Sequence, residues 1–322
     1  MESLSLGDKD VVVVTGGYSG IGLEVSLGVM RSGGHVIMAG RTISRCEEMA
    51  REIKAMGLSG TCDCMALDLD DPKSIRAGAN AIGMAVHSGG RRLHALVNNA
   101  GIMGRGGNTM PSTWWVANAE KVLGSRANTP SAYQPGNDPH LGPNHFGPFL
   151  LTSLLLKDIQ RSKGRVVNVS SNAHSRFGSL EIKRGVVQNN TFLQRYWPWQ
   201  YGRSKLCNVL HALGIREKYP DIPATSISPG PVRTPLFNSL PWPFSTVVNS
   251  FAKSSVGLHL FRTPEQGAAS VLMAVLDPSL STNDKMPLYI HDCKERTPSS
   301  QARDVALADS LWKSSKIYCN LT

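Results

Sequence analysis

Tyr201-Gly202-Arg203-Ser204-Lys205 sets a phenol and an ammonium four residues apart, which places both on one face if the segment is helical. An ordinary phenol, with a pKa of about 10, exchanges protons poorly near neutrality, and a neighbouring cation lowers that value by favouring the phenolate. Tyr201 is thus a candidate proton donor and Lys205 the group that tunes it. Ser171 lies thirty positions earlier, just past an apolar run ending at Val169, where its hydroxyl could hold a carbonyl oxygen.

A second constellation lies near the N-terminus. Thr15-Gly16-Gly17-Tyr18-Ser19-Gly20-Ile21-Gly22 follows the run Val11-Val12-Val13-Val14 and opens a helical pattern through Leu23, Val25 and Leu27. Gly16 permits a tight turn, Gly20 lets backbone approach a pyrophosphate, and Gly22 allows close helix–strand packing. The start of such a helix presents unpaired N–H groups to an anion, so a dinucleotide is expected here. At the end of the next strand stand Gly40 and Arg41, with no carboxylate for a ribose 2′-hydroxyl and a guanidinium suited to a 2′-phosphate. The expected cofactor is NADP(H), and NADPH is expected to be preferred over NADH.

The elements that must position these groups follow from periodicity. Short apolar runs near 11–15, 35–39, 62–67, 93–98, 165–169, 224–228 and 288–290 read as buried strands. Amphipathic stretches separate the first ones, and helices are expected over 201–218 and 264–276. This alternation predicts an α/β chain: one Rossmann-type doubly wound sheet of about seven parallel strands with helices on both faces. The whole of 1–322 reads as one domain, with a cofactor-binding half to about 165 and a catalytic and substrate-binding half after it. Three stretches break the pattern. Residues 105–136 are rich in Gly, Pro, Ser, Thr and Asn and read as an irregular insertion. Residues 174–200 are dense in aromatics, with Phe177, Phe192, Tyr196, Trp197 and Trp199. Residues 235–260 are apolar but broken by Pro241 and Pro243. The second and third are expected to bound the substrate.

Composition limits the alternatives. The net charge of +10 comes from scattered Lys and Arg with no run of five, which argues against a nucleic-acid arm and favours an anionic ligand. No apolar stretch approaches the roughly 18 residues of a spanning helix. The start MESLSLGDKD is polar and gives way at once to a strand-like run, so no signal peptide is expected. The six cysteines lack metal-ligand spacing and read as free thiols of a reducing compartment, so a cytoplasmic location is expected. Cys62-Asp63-Cys64 reads as structural, its two thiols taken to lie on opposite faces of a strand.

Five motifs in order resemble the short-chain dehydrogenase/reductase family: TGxxxGIG at Thr15 to Gly22, NNAG at Asn98-Asn99-Ala100-Gly101, the serine, YxxxK, and a PG-xVxT segment at Pro229, Gly230, Val232 and Thr234. The resemblance covers nearly the whole chain. The tail from Leu288 through Trp312 looks like the retinol dehydrogenase and WW-domain oxidoreductase branch, and YGRSKLCN looks like protochlorophyllide reductase as well. The resemblance implies that Tyr201 is the general acid in reduction and that Lys205 both tunes it and binds the nicotinamide ribose. It implies that Ser171, in preference to Ser170, positions the carbonyl, and that Asn144 holds a water in a proton relay. It further implies cofactor contacts from Gly16, Ser19, Gly20, Ile21, Gly22 and Arg41, from Asp68 and Leu69 beside adenine, from Asn98 and Ala100 on the adenosine side, and from Pro229, Val232 and Thr234. His145 and His174 are expected to be structural. Two departures stand out. Asn98 and Asn144 are 46 positions apart, more than the branch usually shows, and Pro143 and Pro148 around Asn144 do not suit a regular helix.

The reading that absorbs every motif is an NADPH-dependent oxidoreductase interconverting a carbonyl and an alcohol on a lipophilic small molecule. A carbon–carbon double-bond reductase and an NADP-sensing scaffold are the alternatives, and assembly as a homodimer is left open.

Overall fold

The structure is a computed structural model and describes residues 5–103, 138–183, 185–188, 196–233, 246 and 261–321. The expected insertion at 105–136, nearly all of 235–260, Phe192 and Thr234 lie outside the described residues.

The first half runs β1 (Asp10–Thr15), α1 (Gly20–Arg31), β2 (His35–Gly40), α2 (Ile43–Ala55), β3 (Thr61–Ala66), α3 (Pro72–Ser88) and β4 (Arg92–Asn98). A π-helical turn (Gly142–Phe146) leads into α4 (Gly147–Arg161), then β5 (Arg165–Val169) and a single turn α5 (Ala173–Arg176). A two-stranded ribbon, β6 (Ile182–Lys183) and β7 (Val186–Val187), precedes the long α6 (Trp197–Lys218). The chain closes with β8 (Ala224–Ser228), α7 (Pro264–Leu276), β9 (Tyr289–His291), β10 (Lys294–Glu295) and α8 (Val305–Tyr318).

Eight strands form one sheet in the order β10-β9-β8-β5-β4-β1-β2-β3, parallel throughout except for β10. The seven expected strands are all present. The eighth is a two-residue hairpin partner of β9, too short to leave a periodic signal. Its turn residues Asp292 and Cys293 both take positive φ, the conformation a tight hairpin turn demands. The order reverses direction at β1, which lies between β2 and β4, so a crevice opens beyond their carboxyl ends.

β1 shows why the frame forms. Val11 and Val13 pack into one core and Val12 and Val14 into the other, so all four valines are buried and the strand reads as a continuous apolar run. One core is completed by α1, α2 and α7 through Val25, Ile53 and Val271, and the other by α3, α4, α6 and α8 through Ile82, Phe149, Leu210 and Trp312. α7 starts with a capping box in which Thr263 accepts from the Gln266 backbone and Gln266 reaches back to the Thr263 N–H. Thr263→Ala is expected to lower unfolding free energy by about 1 kcal/mol, read from the urea midpoint at constant slope.

The cysteines require a correction. Cys46 of α2 and Cys64 of β3 form a disulfide, while Cys62, Cys207, Cys293 and Cys319 are free. Cys62 and Cys64 are two residues apart, so they share the face of β3 that packs on α2 instead of facing opposite ways. The cysteines therefore no longer argue for a reducing compartment.

Candidate active site

A cavity of about 730 Å³ lies over the carboxyl ends of β1, β2, β4 and β5. One end is bounded by the β1–α1 turn. Gly16 holds φ at +67°, in the left-handed region that favours glycine. A side chain at Gly22 would collide with the Gly16 carbonyl, so the glycine lets α1 start close against β1, and Gly22 itself packs there without lining the cavity. Ser19, Gly20 and Ile21 do line it.

Asp71, Thr263 and Asp304 each accept a backbone N–H at the start of α3, α7 and α8, whereas Ser19, like Thr42 at the start of α2, makes no such bond to its helix, and no acid stands in the first turn of α1. The first N–H groups of α1 are thereby left for an anion in the cavity. Arg41 lines the same end, set by Tyr18, whose phenol packs on Gly40 and accepts from the Thr42 N–H at 3.3 Å. Asp68, Leu69 and Ala100 complete that wall.

Of the NNAG asparagines, the second faces the cavity. Asn99 lines it, and its side chain donates to the Thr15 carbonyl at 2.9 Å, while Thr15 Oγ1 accepts from the Asn99 and Ala100 N–H groups at 3.0 Å each. Asn98 does not line the adenosine side, contrary to expectation. Its Nδ2 is turned into the core, donating to Asn168 Oδ1 at 2.9 Å and Thr152 Oγ1 at 3.1 Å. Strand alternation is the reason: Asn98 is the last residue of β4, and its side chain falls on the α4 side.

At the other end β5 and α6 converge. Ser171 and Tyr201 line the cavity and share a hydrogen bond, and Lys205 lies one helical turn beyond Tyr201. Lys205 Nζ donates to the Val169 carbonyl at 3.0 Å and sits 5.5 Å from the centroid of the Tyr201 ring. Ser170 also lines the cavity, but its hydroxyl donates to the Lys205 carbonyl at 2.7 Å. Pro229 and Val232 close this side.

Asn144 sits in the π-helical turn, not in a regular helix. Pro143 removes a donor, and the looser turn accommodates it. The side chain clamps Ile102 from both sides, accepting from its N–H at 2.7 Å and donating to its carbonyl at 2.9 Å, and also donates to Ser204 Oγ at 3.0 Å. Asn144 thus ties the segment that follows NNAG to the helix of Tyr201. His174 holds the Ser171 carbonyl through Nδ1 at 2.8 Å and accepts from the Ser299 N–H through Nε2 at 3.3 Å, and burial pushes its pKa down. His145 bonds Ser315 at 2.8 Å deep in the core. Neither histidine lines the cavity.

The electrostatics differ from the simplest sequence expectation. Burial raises the Tyr201 phenol to about 12, against a smaller opposing effect of the Ser171 hydrogen bond, and burial lowers the Lys205 ammonium to about 8. Desolvation is the dominant effect on the phenol. The phenol is neutral across the physiological range and can donate a proton.

Several lining residues carry no motif: Tyr18, Met103, Pro143, Arg176, Phe177 and Phe261. Met103 and Tyr201 form a small buried cluster with Ala173 and Trp197 against it, and Trp199 packs edge-on to Phe177 at 5.6 Å. A positively charged signal five residues after Ser171 could have pointed to Arg176.

Comparison with known proteins agrees with this architecture. Residues 10–180 match the family described as short chain dehydrogenase. The chain is 31% identical to "Short-chain dehydrogenase TIC 32 A, chloroplastic" of Brassica napus over 93% of its length and 85% of that protein. It is 32% identical to "Retinol dehydrogenase 11" of Homo sapiens over 97% of its length and 85% of that protein. The solved "RhlG/NADP active-site complex" of Pseudomonas aeruginosa shares the fold, with a TM-score of 0.61 at 21% identity over 90% of this chain and 97% of that one. Motif order, sheet order and these matches agree, and the chain belongs to the short-chain dehydrogenase family.

Proposed function

We propose that the protein is an NADP(H)-dependent oxidoreductase that interconverts a carbonyl and an alcohol on a lipophilic small molecule. The observation that carries this reading is the convergence, in one cavity, of an uncapped helix start and Arg41 at one end with Ser171, Tyr201 and Lys205 at the other. The residues fit the cofactor. The turn at Gly16 to Ile21 would hold its pyrophosphate, Arg41 its 2′-phosphate, Asp68 and Leu69 its adenine side, and Lys205 and Val232 its nicotinamide half. When bound, the cofactor supplies or accepts the hydride.

The chain's own residues do the rest. Ser171 donates a hydrogen bond to the carbonyl oxygen, and Tyr201 gives its phenolic proton to the same oxygen as the alcohol forms. Lys205 places a cation beside the phenol as negative charge develops on it. Asn144 holds the segment after NNAG in register with the helix that bears Tyr201 and Lys205. The lipophilic substrate class draws on Met103, Pro143, Ala173 and Phe177 in the lining, and on relatives that bear the names retinol dehydrogenase and polyprenol dehydrogenase. Among the described residues no helix is long and apolar enough to cross a membrane.

The test is a panel of lipophilic aldehydes, ketones and enones with NADPH, followed by nicotinamide absorbance and product identification. Alcohol products from simple aldehydes or ketones support the reading. Saturated products from enones alone would move it to double-bond reduction, and cofactor binding without turnover of any member would leave a scaffold. Trp197→Ala, which removes the ring packed beside Met103 and Tyr201, is expected to raise KM for long alkyl ketones severalfold more than for short ones. Unchanged KM trends with a large fall in Tm would assign that ring to packing alone.

A further inference from the structure

We infer that the substrate carries an anionic group, a carboxylate or comparable oxyanion, bound by Arg176 at the open side of the catalytic end of the cavity. This rests on the carbonyl–alcohol reading above and adds the class of molecule to it.

Arg176 ends α5, the single turn that begins two residues after Ser171, so its backbone is tied to the catalytic end of the cavity by five residues of chain. Its side chain lines the cavity together with Ser171, Ala173, Phe177 and Tyr201. Arg41 and the start of α1, which suit phosphates, belong to the opposite end. Other arginines near the sheet are committed. Arg165 donates to the Ala274 and Asp277 carbonyls, Arg92 pairs with Asp10, Arg203 with Asp138, and Arg262 with Asp292. Among the described residues Arg176 has no such partner, and its side chain is exposed.

The charges next to Arg176 in the chain agree. Residues 174–183 carry Arg176 and Lys183 against Glu181 alone. Glu181 is itself paired with Lys183 at 2.6 Å. A guanidinium with no carboxylate partner among the described residues, in a cavity also lined by the apolar Met103, Pro143, Ala173 and Phe177, matches an amphiphile with one charged end. Its planar fork takes both oxygens of a carboxylate at once, which a solvated ammonium would not do with the same geometry.

The experiment compares a medium-chain oxo-carboxylic acid, its methyl ester and a phosphate monoester of matching length, each reduced with NADPH by the full chain and by Arg176→Met and Arg176→Lys. The acid is expected to have the lower KM, and Arg176→Met to raise the acid-to-ester KM ratio on the order of ten- to a hundredfold, with partial recovery in Arg176→Lys. Stronger discrimination with the phosphate than with the carboxylate would name phosphate as the oxyanion. Equal KM for acid and ester in the unmodified protein would overturn the inference. So would a KM for NADPH that rises in Arg176→Met while the ratio stays put, because the guanidinium would then serve the cofactor. Equilibrium binding of the saturated fatty acid and its methyl ester, measured calorimetrically with NADP present, separates the two proposals. Acid-selective binding lost in Arg176→Met with no carbonyl turned over would uphold the anion site and reject the reaction. Turnover of neutral ketones with no acid selectivity in binding would do the reverse.

Discussion

Tyr201→Phe is expected to lower carbonyl reduction by about 10²- to 10⁴-fold at neutral pH while leaving NADPH affinity nearly unchanged. The substitution removes the hydroxyl that hydrogen-bonds Ser171 and keeps the ring that packs beside Met103 and Trp197. The loss falls on the proton donor alone, so kcat should drop without a compensating change in stability. Burial holds the phenol at about 12, so the donor is protonated throughout the physiological range and the rate should not fall steeply between pH 6 and 8 for want of a proton. Lys205→Ala should damage both turnover and cofactor affinity, because its ammonium stands against the Tyr201 ring and lines the cavity as well. Single-turnover measurements isolate the chemical step. Near-normal turnover in Tyr201→Phe under those conditions would remove the phenol from the mechanism.

Arg41→Asp is expected to reverse cofactor preference, with a swing in the NADPH-to-NADH ratio of kcat/KM on the order of 10²-fold or more, equivalent to about 2.7 kcal/mol. The change replaces the guanidinium just past the end of β2 with a carboxylate that repels a 2′-phosphate and accepts from a ribose 2′-hydroxyl. Tyr18 and Gly40 hold the chain at this point, and the substitution leaves both untouched, so the two cofactors are compared in the same loop geometry. Steady-state kinetics with both cofactors is the check, and equal use of NADPH and NADH by the unmodified protein would contradict the role given to Arg41.

Much of the scaffold was legible in the linear sequence because its cause is local. A strand buried on both faces must be apolar at every position, so Val11 to Val14 announces itself, and a turn that brings backbone against a phosphate must use glycine at fixed offsets. Tyr201 and Lys205 are one helical turn apart, so their partnership is written in the spacing as well. These features place the sheet, the glycine-rich turn and the Tyr201–Lys205 pair without reference to distant residues.

What the sequence left open depends on groups far apart in the chain. Asn98 and Asn99 are adjacent, and only the position of β4 against α4 sends the first to Thr152 and Asn168 in the core and leaves the second facing the cavity. Asn144 reaches Ile102 and Ser204 across 42 and 60 residues, from a π-helical turn that contains Pro143. The Cys46–Cys64 disulfide joins a helix to a strand 18 positions on, a pairing that sequence spacing does not reveal. The high pKa of Tyr201 is of the same kind: proximity to Lys205 can be read from the sequence, but the desolvation that raises the phenol is a property of the packed site. Periodicity, glycine placement and helical spacing therefore determined the fold class and the candidate Tyr201–Lys205 pair, whereas tertiary packing alone decided which polar groups meet water, which meet each other, and which, like Arg176, line the cavity, because burial and charge pairing are set by neighbours that the chain brings together only on folding.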